Sequence, residues 1–292
     1  MMDKIIAKAD VLLEALPYIQ QFHGSVILVK FGGSAMENPD VRNSVLRDIA
    51  FMCAAGMRPI IVHGGGKAIN AELQARGIAP KFINGLRYTD GATIDVVDKV
   101  LHQVNSELVA FLAGQCGTPV SGVSGKDILR GHRISGTDPA TGAPVDLGQV
   151  GEVINVDTRQ LQWILDRGQL PVIAPLAVNM DGTVFNVNAD MAACVIAAQM
   201  KVRKLVFLSD VPGVLRDPKD ESTLISEIRT SMVPELIETG VLSGGMLPKI
   251  RSCVNAIENG VTQVHMADGR LPHSLLLEIF TNTGVGTQII KG

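Results

Sequence analysis

The stretch "VILVKFGGSAMENP", residues 26–39, decides how this chain folds. Val26 to Val29 is a short apolar run rich in β-branched residues and bounded by turn formers, the pattern of a buried strand. The strand runs into Lys30 and Phe31 and then onto the bare backbone of Gly32 and Gly33. Asn38-Pro39 supplies an N-cap and a first helical position, so a helix follows, with Val41, Val45, Ile49 and Met52 on one face and a stop at Gly56. "PIIV" (59–62) reads as a second strand, followed by "HGGG" (63–66) and a short helix ending at Gly77. Strand, glycine turn, helix, strand is a parallel βαβ unit.

The same alternation extends outward. Ile5, Ala9, Leu12, Leu16 and Ile19 fall at helical spacing, which predicts an amphipathic helix over 1–24, burying its stripe either on its own domain or on a neighbouring subunit. A helix is expected from Thr93 to Ala113, then a strand at "TPVSGV", β-hairpins between Asp127 and Val156, a helix from Thr158 to Arg167 and the strand "PVIAP". After residue 178 come a helix from Ala189 to Met200, the strand "KLVFLS", helices near 232–239 and 246–258, the strand "VTQVHM", a short helix "SLLLEIF" and a closing strand "GTQII". The expected fold is α/β: an open, mostly parallel sheet with helices on both faces, in two lobes spanning 25–178 and 179–292.

Bulk composition narrows the function. The 292 residues are 46% hydrophobic and only 4% aromatic, with a formal net charge of −3, which argues against a nucleic-acid partner that would demand basic surface and stacking platforms. No apolar run reaches the ~20 residues of a bilayer span, and Asp3, Asp10 and Glu14 interrupt the N-terminal apolar pattern, so no membrane association is expected and the location reads as cytoplasmic. Cys53, Cys116, Cys194 and Cys253 form no Cys-x-x-Cys pair and read as small buried apolar residues of a reducing compartment.

Ligands of such sheets bind beyond the carboxyl ends of the strands, where Lys30-Phe31-Gly32-Gly33 and His63-Gly64-Gly65-Gly66 are expected. Glycine there lets backbone N–H groups approach an anion, and a helix N-terminus adds positive potential. Neither loop is a Walker A loop, and no G-x-G-x-x-G follows a strand, so phosphate chemistry would need another design. In "NVNAD", Asn186, Asn188 and Asp190 sit at a strand-to-helix junction, and Asp190 either caps the helix or serves a site. "LSDVPGVL" turns at Pro212-Gly213. In "GGMLPKI", Lys249 lies in the first turns of a helix, where a cation opposes the dipole unless an anion binds nearby.

The motifs "VKFGGSAM", "HGGG", "NGLRYTD", "GKD", "VGEV", "NVNAD", "SDVPGVL" and "GGMLPKI" occur in the order found in the amino acid kinase superfamily, and the chain most resembles its arginine-sensitive acetylglutamate kinase branch. The resemblance runs from about residue 24 to the C-terminus. It implies an αβα sandwich, an N-terminal lobe for N-acetyl-L-glutamate and dimerisation, and a C-terminal lobe for ATP, with Mg2+ held mainly by the phosphates and no protein metal ligand. By resemblance Lys30 and Lys249 neutralise the transferring phosphoryl group, with Asp190 holding both. Gly32, Gly33 and Gly64 would offer N–H groups to phosphate, with Asp210, Gly213 and Leu215 flanking the nucleotide. Gly65, Gly66, Arg87 and Asn186 would hold the acyl amino acid, and His63 is expected to be a structural loop residue. Lys67 departs from the family's usual proline and either adds charge near the phosphates or points to solvent.

The segment His273 to Ile289 resembles the terminus of arginine-inhibited members. It implies L-arginine as inhibitor, bound by Glu278, by the backbone of Gly284 to Gly286 and by Tyr18, in a hexamer built as a trimer of dimers through the N-terminal helix. Other readings are a relative acting on glutamate, aspartate or UMP, and a non-catalytic amino-acid sensor of the same fold.

Overall fold

The computed structural model describes residues 2–137, 141–281 and 284–292. Helix α1 (Met2–Phe22) leads to β1 (Val26–Phe31), a 3-10 turn at Gly33–Met36 and α2 (Pro39–Ala54). Next come β2 (Arg58–His63), α3 (Gly66–Ala75), a small hairpin of β3 (Phe82–Ile83) and β4 (Leu86–Arg87), and the long α4 (Gly91–Cys116). They are followed by β5 (Val120–Ser124), α5 (Gly125–Ile128), the hairpin β6 (Leu129–Thr137) and β7 (Pro144–Val156), α6 (Thr158–Asp166), β8 (Leu170–Ala174), β9 (Leu176–Val178) and β10 (Val184–Val187). The rest is α7 (Ala189–Gln199), β11 (Lys204–Ser209), β12 (Glu227–Arg229), α8 (Val233–Glu238), α9 (Met246–Glu258), β13 (Gln263–Asp268), α10 (Ser274–Ile279) and β14 (Thr287–Ile290).

Eight strands form one sheet in the order β12-β14-β13-β11-β1-β2-β8-β5. All neighbours are parallel except β13 and β14. The central strands carry continuous apolar runs, VILV in β1, PIIV in β2 and LVFL in β11, because both faces are covered. Successive side chains of β1 divide between the layers: Leu28 joins the core built with α6, α7 and α9, while Ile27, Val29 and Phe31 join the one built with α2, α4 and α10. The expected 127–156 hairpins are a single long hairpin, which closes with β9 and β10 into a separate four-stranded sheet. The strands β3, β4, β9 and β12 did not show in the sequence, since runs of two or three residues are too short to display a period.

Register brings the site together. Phe31 lies beside His63 and Leu208, and Val62 beside Ile173, so the carboxyl ends of β1, β2, β8 and β11 open onto one edge. The cap predicted for α2 forms, with Asn38 Oδ1 accepting from the N–H groups of Asp40 (2.9 Å) and Val41 (3.4 Å). At α7 the cap is Asn188, which accepts from Asp190 N at 2.9 Å and Met191 N at 3.2 Å. The capping role considered for Asp190 is therefore not the one it plays, and its carboxylate is left for other work.

Of the α1 stripe, Leu12 is 68% and Leu16 43% exposed while Ile19 is half-buried, and the neighbouring Val11 and Leu13 are also open. The side chains of Ile5 and Ala9, and residues Asn282 and Thr283 inside the C-terminal signature, lie outside the described set. Among the described residues no helix is long and apolar enough to cross a membrane.

Candidate active site

Asp190 projects from the first turn of α7 between two lysines. Its Oδ1 is 2.8 Å from Lys30 Nζ, and its Oδ2 is 3.5 Å from Lys249 Nζ. Lys30 comes from the end of β1 and Lys249 from the start of α9, more than two hundred residues apart in the chain. Burial pushes the Asp190 carboxyl up, but the two ammonium groups outweigh it and hold the group below the usual carboxylate range. Lys249 also lies 5.0 Å over the ring of Phe207 on β11, which fixes its approach. Two cations and one anion leave a net positive charge at the strand ends, suited to a polyanion.

The glycines of the two loops have distinct reasons. A Cβ on Gly32 would stand 2.5 Å from Lys30 Nζ, so the bare backbone makes room for the ammonium itself. Gly33 has φ +72°, and a Cβ there would meet Asp210 Oδ1 at 2.5 Å. Asp210, just after β11, accepts from Ser34 N (2.8 Å) and Ser34 Oγ (2.7 Å), tying the Gly32–Gly33 loop to the far strand. Ser34 was not singled out in the sequence, although its place directly after the glycine pair was the available signal. Gly64 departs from expectation. Its N–H donates to Phe31 O at 2.7 Å, and its Cα side faces Gly32, so it joins the two loops rather than offering its N–H to phosphate. Gly213 is held against Thr287, whose Oγ1 accepts from Val214 N at 2.8 Å, so the 210–215 turn leans on β14.

Arg87 is buried at the end of β4. Its Nη2 donates to Gly66 O at 3.0 Å, its guanidinium lies 4.8 Å over Phe82, and its Nη1 is buried with no protein partner. A cavity of about 180 Å³ is lined by Gly64, Arg87, Leu86, Asn186 and Ala189, and Gly65, Gly66 and Arg87 also border a larger one of about 570 Å³. Asn186 Nδ2 donates to Thr89 Oγ1 (3.1 Å), which in turn donates to Arg87 O (2.8 Å). Thr89 is fully buried and was missed, because a threonine in "RYTD" carries no signal beyond its neighbours. Lys67 sits at the rim of the larger cavity, which Gly33 also borders, and pairs with Glu37 at 2.7 Å.

His63 is the last residue of β2, not a loop residue, and is fully buried. Its Nδ1–H donates to Gly64 O (2.9 Å) and its Nε2 accepts from Asn105 Nδ2 (3.2 Å), which leaves the ring neutral. Burial lowers its pKa to about 4.

At the opposite edge, Glu278 is buried, not a surface charge. It accepts from His265 Nδ1 (2.6 Å), Val285 N (2.8 Å) and Gly286 N (3.0 Å), so its carboxylate shapes the 284–286 loop. Glycine is required twice there: a Cβ on Gly284, at φ +62°, would reach Glu278 Oε2 at 2.7 Å, and one on Gly286 would collide with Met266 O. Tyr18 meets Phe280 edge-on at 6.4 Å, which brings α1 to the end of α10.

Comparison with known proteins identifies the family. The model of the amino acid kinase family matches residues 25–268. The chain belongs to the amino acid kinase family. A protein of Heliobacterium modesticaldum named acetylglutamate kinase is 46% identical over 99% of this chain and 99% of its own length. Another of that name, from Symbiobacterium thermophilum, is 47% identical over 97% of this chain and 98% of its own. These relatives make this family member an enzyme, a kinase. N-acetylglutamate synthase from Neisseria gonorrhoeae, solved with coenzyme A and N-acetyl-glutamate, superposes with a TM-score of 0.83 at 29% identity over 96% of this chain. This chain spans 63% of that synthase, which has also been solved with coenzyme A and L-arginine (TM-score 0.82, 29% identity, 96% and 64% covered).

Proposed function

We propose that this kinase transfers the γ-phosphoryl group of MgATP to the γ-carboxylate of N-acetyl-L-glutamate, giving N-acetyl-L-glutamyl 5-phosphate and ADP in arginine biosynthesis. The observation that carries the reading is the Lys30–Asp190–Lys249 constellation beside a cavity lined by Arg87 and Asn186. A γ-carboxylate with a pKa near ~4.3 is ionised at neutral pH, so it attacks phosphorus without a general base. As its oxygen bonds to the γ-phosphorus, the bond to the bridging oxygen breaks and ADP leaves. The obstacle is repulsion between anions, and catalysis of such transfers is mostly alignment and charge neutralisation.

Lys30 and Lys249 serve that need, and Asp190, held ionised, keeps them in register rather than acting as a base. Arg87, with a buried unpartnered Nη1, clamps the α-carboxylate by a two-pronged match that lysine lacks. Asn186, anchored by Thr89, supports the same group. Gly32 and Gly33 line the phosphates, Gly65 and Gly66 the reacting carboxylate, and the turn through Asp210, Gly213 and Leu215 the nucleotide. Among the described residues no group of three or more His, Cys, Asp or Glu is arranged to hold a metal ion. Magnesium is read as part of the nucleotide substrate, held mainly by the phosphates. The N-terminal lobe, 25–178, would hold the acyl amino acid and make the dimer; the C-terminal lobe, 179–292, would hold ATP.

Regulation belongs to the same reading. The open stripe of α1 suits packing on a second dimer to give a hexamer, and the contact of Tyr18 with Phe280 ties that helix to the Glu278 loop. L-arginine bound near Tyr18, Glu278, Gly284 and Gly286 would then act across subunits; a related synthase has been solved with L-arginine. Coupled ADP release with N-acetylglutamate, glutamate, aspartate and UMP, with and without arginine, tests the proposal. Preference for an unacetylated acceptor would refute it.

A further inference from the structure

The two cysteines of the second half meet behind the ion pair. Cys194 follows Asp190 by four residues on α7, and Cys253 follows Lys249 by four residues on α9. Positions four apart share a helix face and lie about 6 Å apart, one turn along. Cys253 is fully buried and Cys194 is 5% exposed, and both belong to the core layer shared by α7 and α9. The two side chains lie against each other, and Cys253 first, then burial, pushes the Cys194 thiol well above its ordinary value. The Cys194 sulfur therefore remains neutral and is not suited to act as a nucleophile. What they supply is size: a thiol contact lets two helices come closer than leucine or valine would, yet not as close as alanine.

We propose that the Cys194–Cys253 contact is a positioning device that sets the spacing of α7 and α9, and thereby the reach of Lys249 toward Asp190. The 3.5 Å separation of that pair is longer than the 2.8 Å of Lys30 with Asp190, so a small further parting of the helices takes Lys249 out of hydrogen-bonding range. Lys30 stands on β1, outside this helix pair, and would keep its contact. The inference rests on the phosphoryl-transfer reading above and names which residues hold one of its two cations in place.

The test uses the full chain. Cys253→Val should cut kcat by about tenfold or more while the KM for acceptor changes less than about twofold, because a small misplacement of a charge-neutralising group costs rate rather than acceptor binding. Cys253→Ser, which keeps the atom count, should restore most of the rate. In a Lys249→Ala background the Val substitution should change kcat by less than about twofold, since it acts through Lys249. An equal fold-loss in both backgrounds, or no loss in either, would overturn the proposal. Crystal structures of Cys253→Val, and of Cys253→Ala should the valine protein fail to fold, supply a readout independent of turnover. Lys249 Nζ should stand clearly farther than 3.5 Å from Asp190 Oδ2 in the valine protein, and its position should also shift with alanine. An unchanged separation would overturn the proposal whatever the acceptor is. Absence of wild-type turnover on N-acetylglutamate would instead count against the assigned reaction, so the two failures are separable.

Discussion

Replacing Asp190 with asparagine removes one negative charge and leaves the shape of the site intact. In the native protein the carboxylate stands 2.8 Å from Lys30 and 3.5 Å from Lys249. At an effective dielectric of about 20 these attractions amount to about 6 and about 5 kcal/mol before desolvation and solvent screening. Screening matters, since the Asp190 side chain is 26% exposed. If only about 3 to 4 kcal/mol of this orders the lysines in the transition state, kcat falls by about 10² to 10³. Binding should move differently. The site goes from a net charge of one positive to two, so the affinity for ATP stays the same or rises. Coupled ADP release at saturating acceptor gives kcat, and calorimetric titration with a non-hydrolysable ATP analogue gives affinity. A kcat within about fivefold of wild type would show that the carboxylate does not organise the lysines; collapse of ATP binding would show that its role is to build the nucleotide site.

Gly32→Ala should leave stability nearly unchanged, since the backbone there is extended and open to any residue, but its Cβ must displace Lys30 Nζ. We expect kcat to fall by about 10- to 100-fold with a melting temperature within about 3 °C of wild type, read by calorimetry beside the ADP assay. Arg87→Ala should raise the KM for the acceptor by about 10- to 100-fold with kcat within about threefold, and Arg87→Lys should not restore it, because the ammonium lacks the fork. His63 is held neutral in the fold with a pKa lowered from 6.5 to about 4, so the unfolded chain binds more protons between those values and stability is lost as pH falls through that window. The loss approaches about 3 kcal/mol near pH 4, and in denaturant titrations His63→Gln should flatten the slope. Deleting residues 1–22 should give dimers by light scattering that turn over normally and resist arginine; hexamers after deletion would refute the role given to α1.

Long elements were legible in the sequence because their physics is local. The "VILVKF" strand, the Asn38-Pro39 cap and the extents of α9 and β11 follow from apolar runs and cap chemistry that the structure repeats. The convergence of Lys30, Asp190 and Lys249 was different in kind, since no spacing rule joins residues 30, 190 and 249, and only family resemblance placed them together. Three-dimensional pairing also decided which residue caps α7, because Asn188 and Asp190 are equally good caps by type and only the lysines claim the second. The same holds for Gly64, whose N–H is satisfied by Phe31, and for Glu278, which burial and His265 make the organiser of a loop. Ser34, Thr89 and Asn105 act through hydrogen bonds to residues 42 to 176 positions away, which no local pattern encodes.

The most direct measurement is a trapping assay: ATP and N-acetylglutamate are incubated with the enzyme in hydroxylamine, and hydroxamate and ADP are counted together. An acyl phosphate formed between the two lysines reacts with hydroxylamine, so one hydroxamate should appear for each ADP, and both should drop together in Lys30→Ala and Lys249→Ala. ADP without hydroxamate, or hydroxamate undiminished when both lysines are removed, would contradict phosphoryl transfer to a carboxylate at this site.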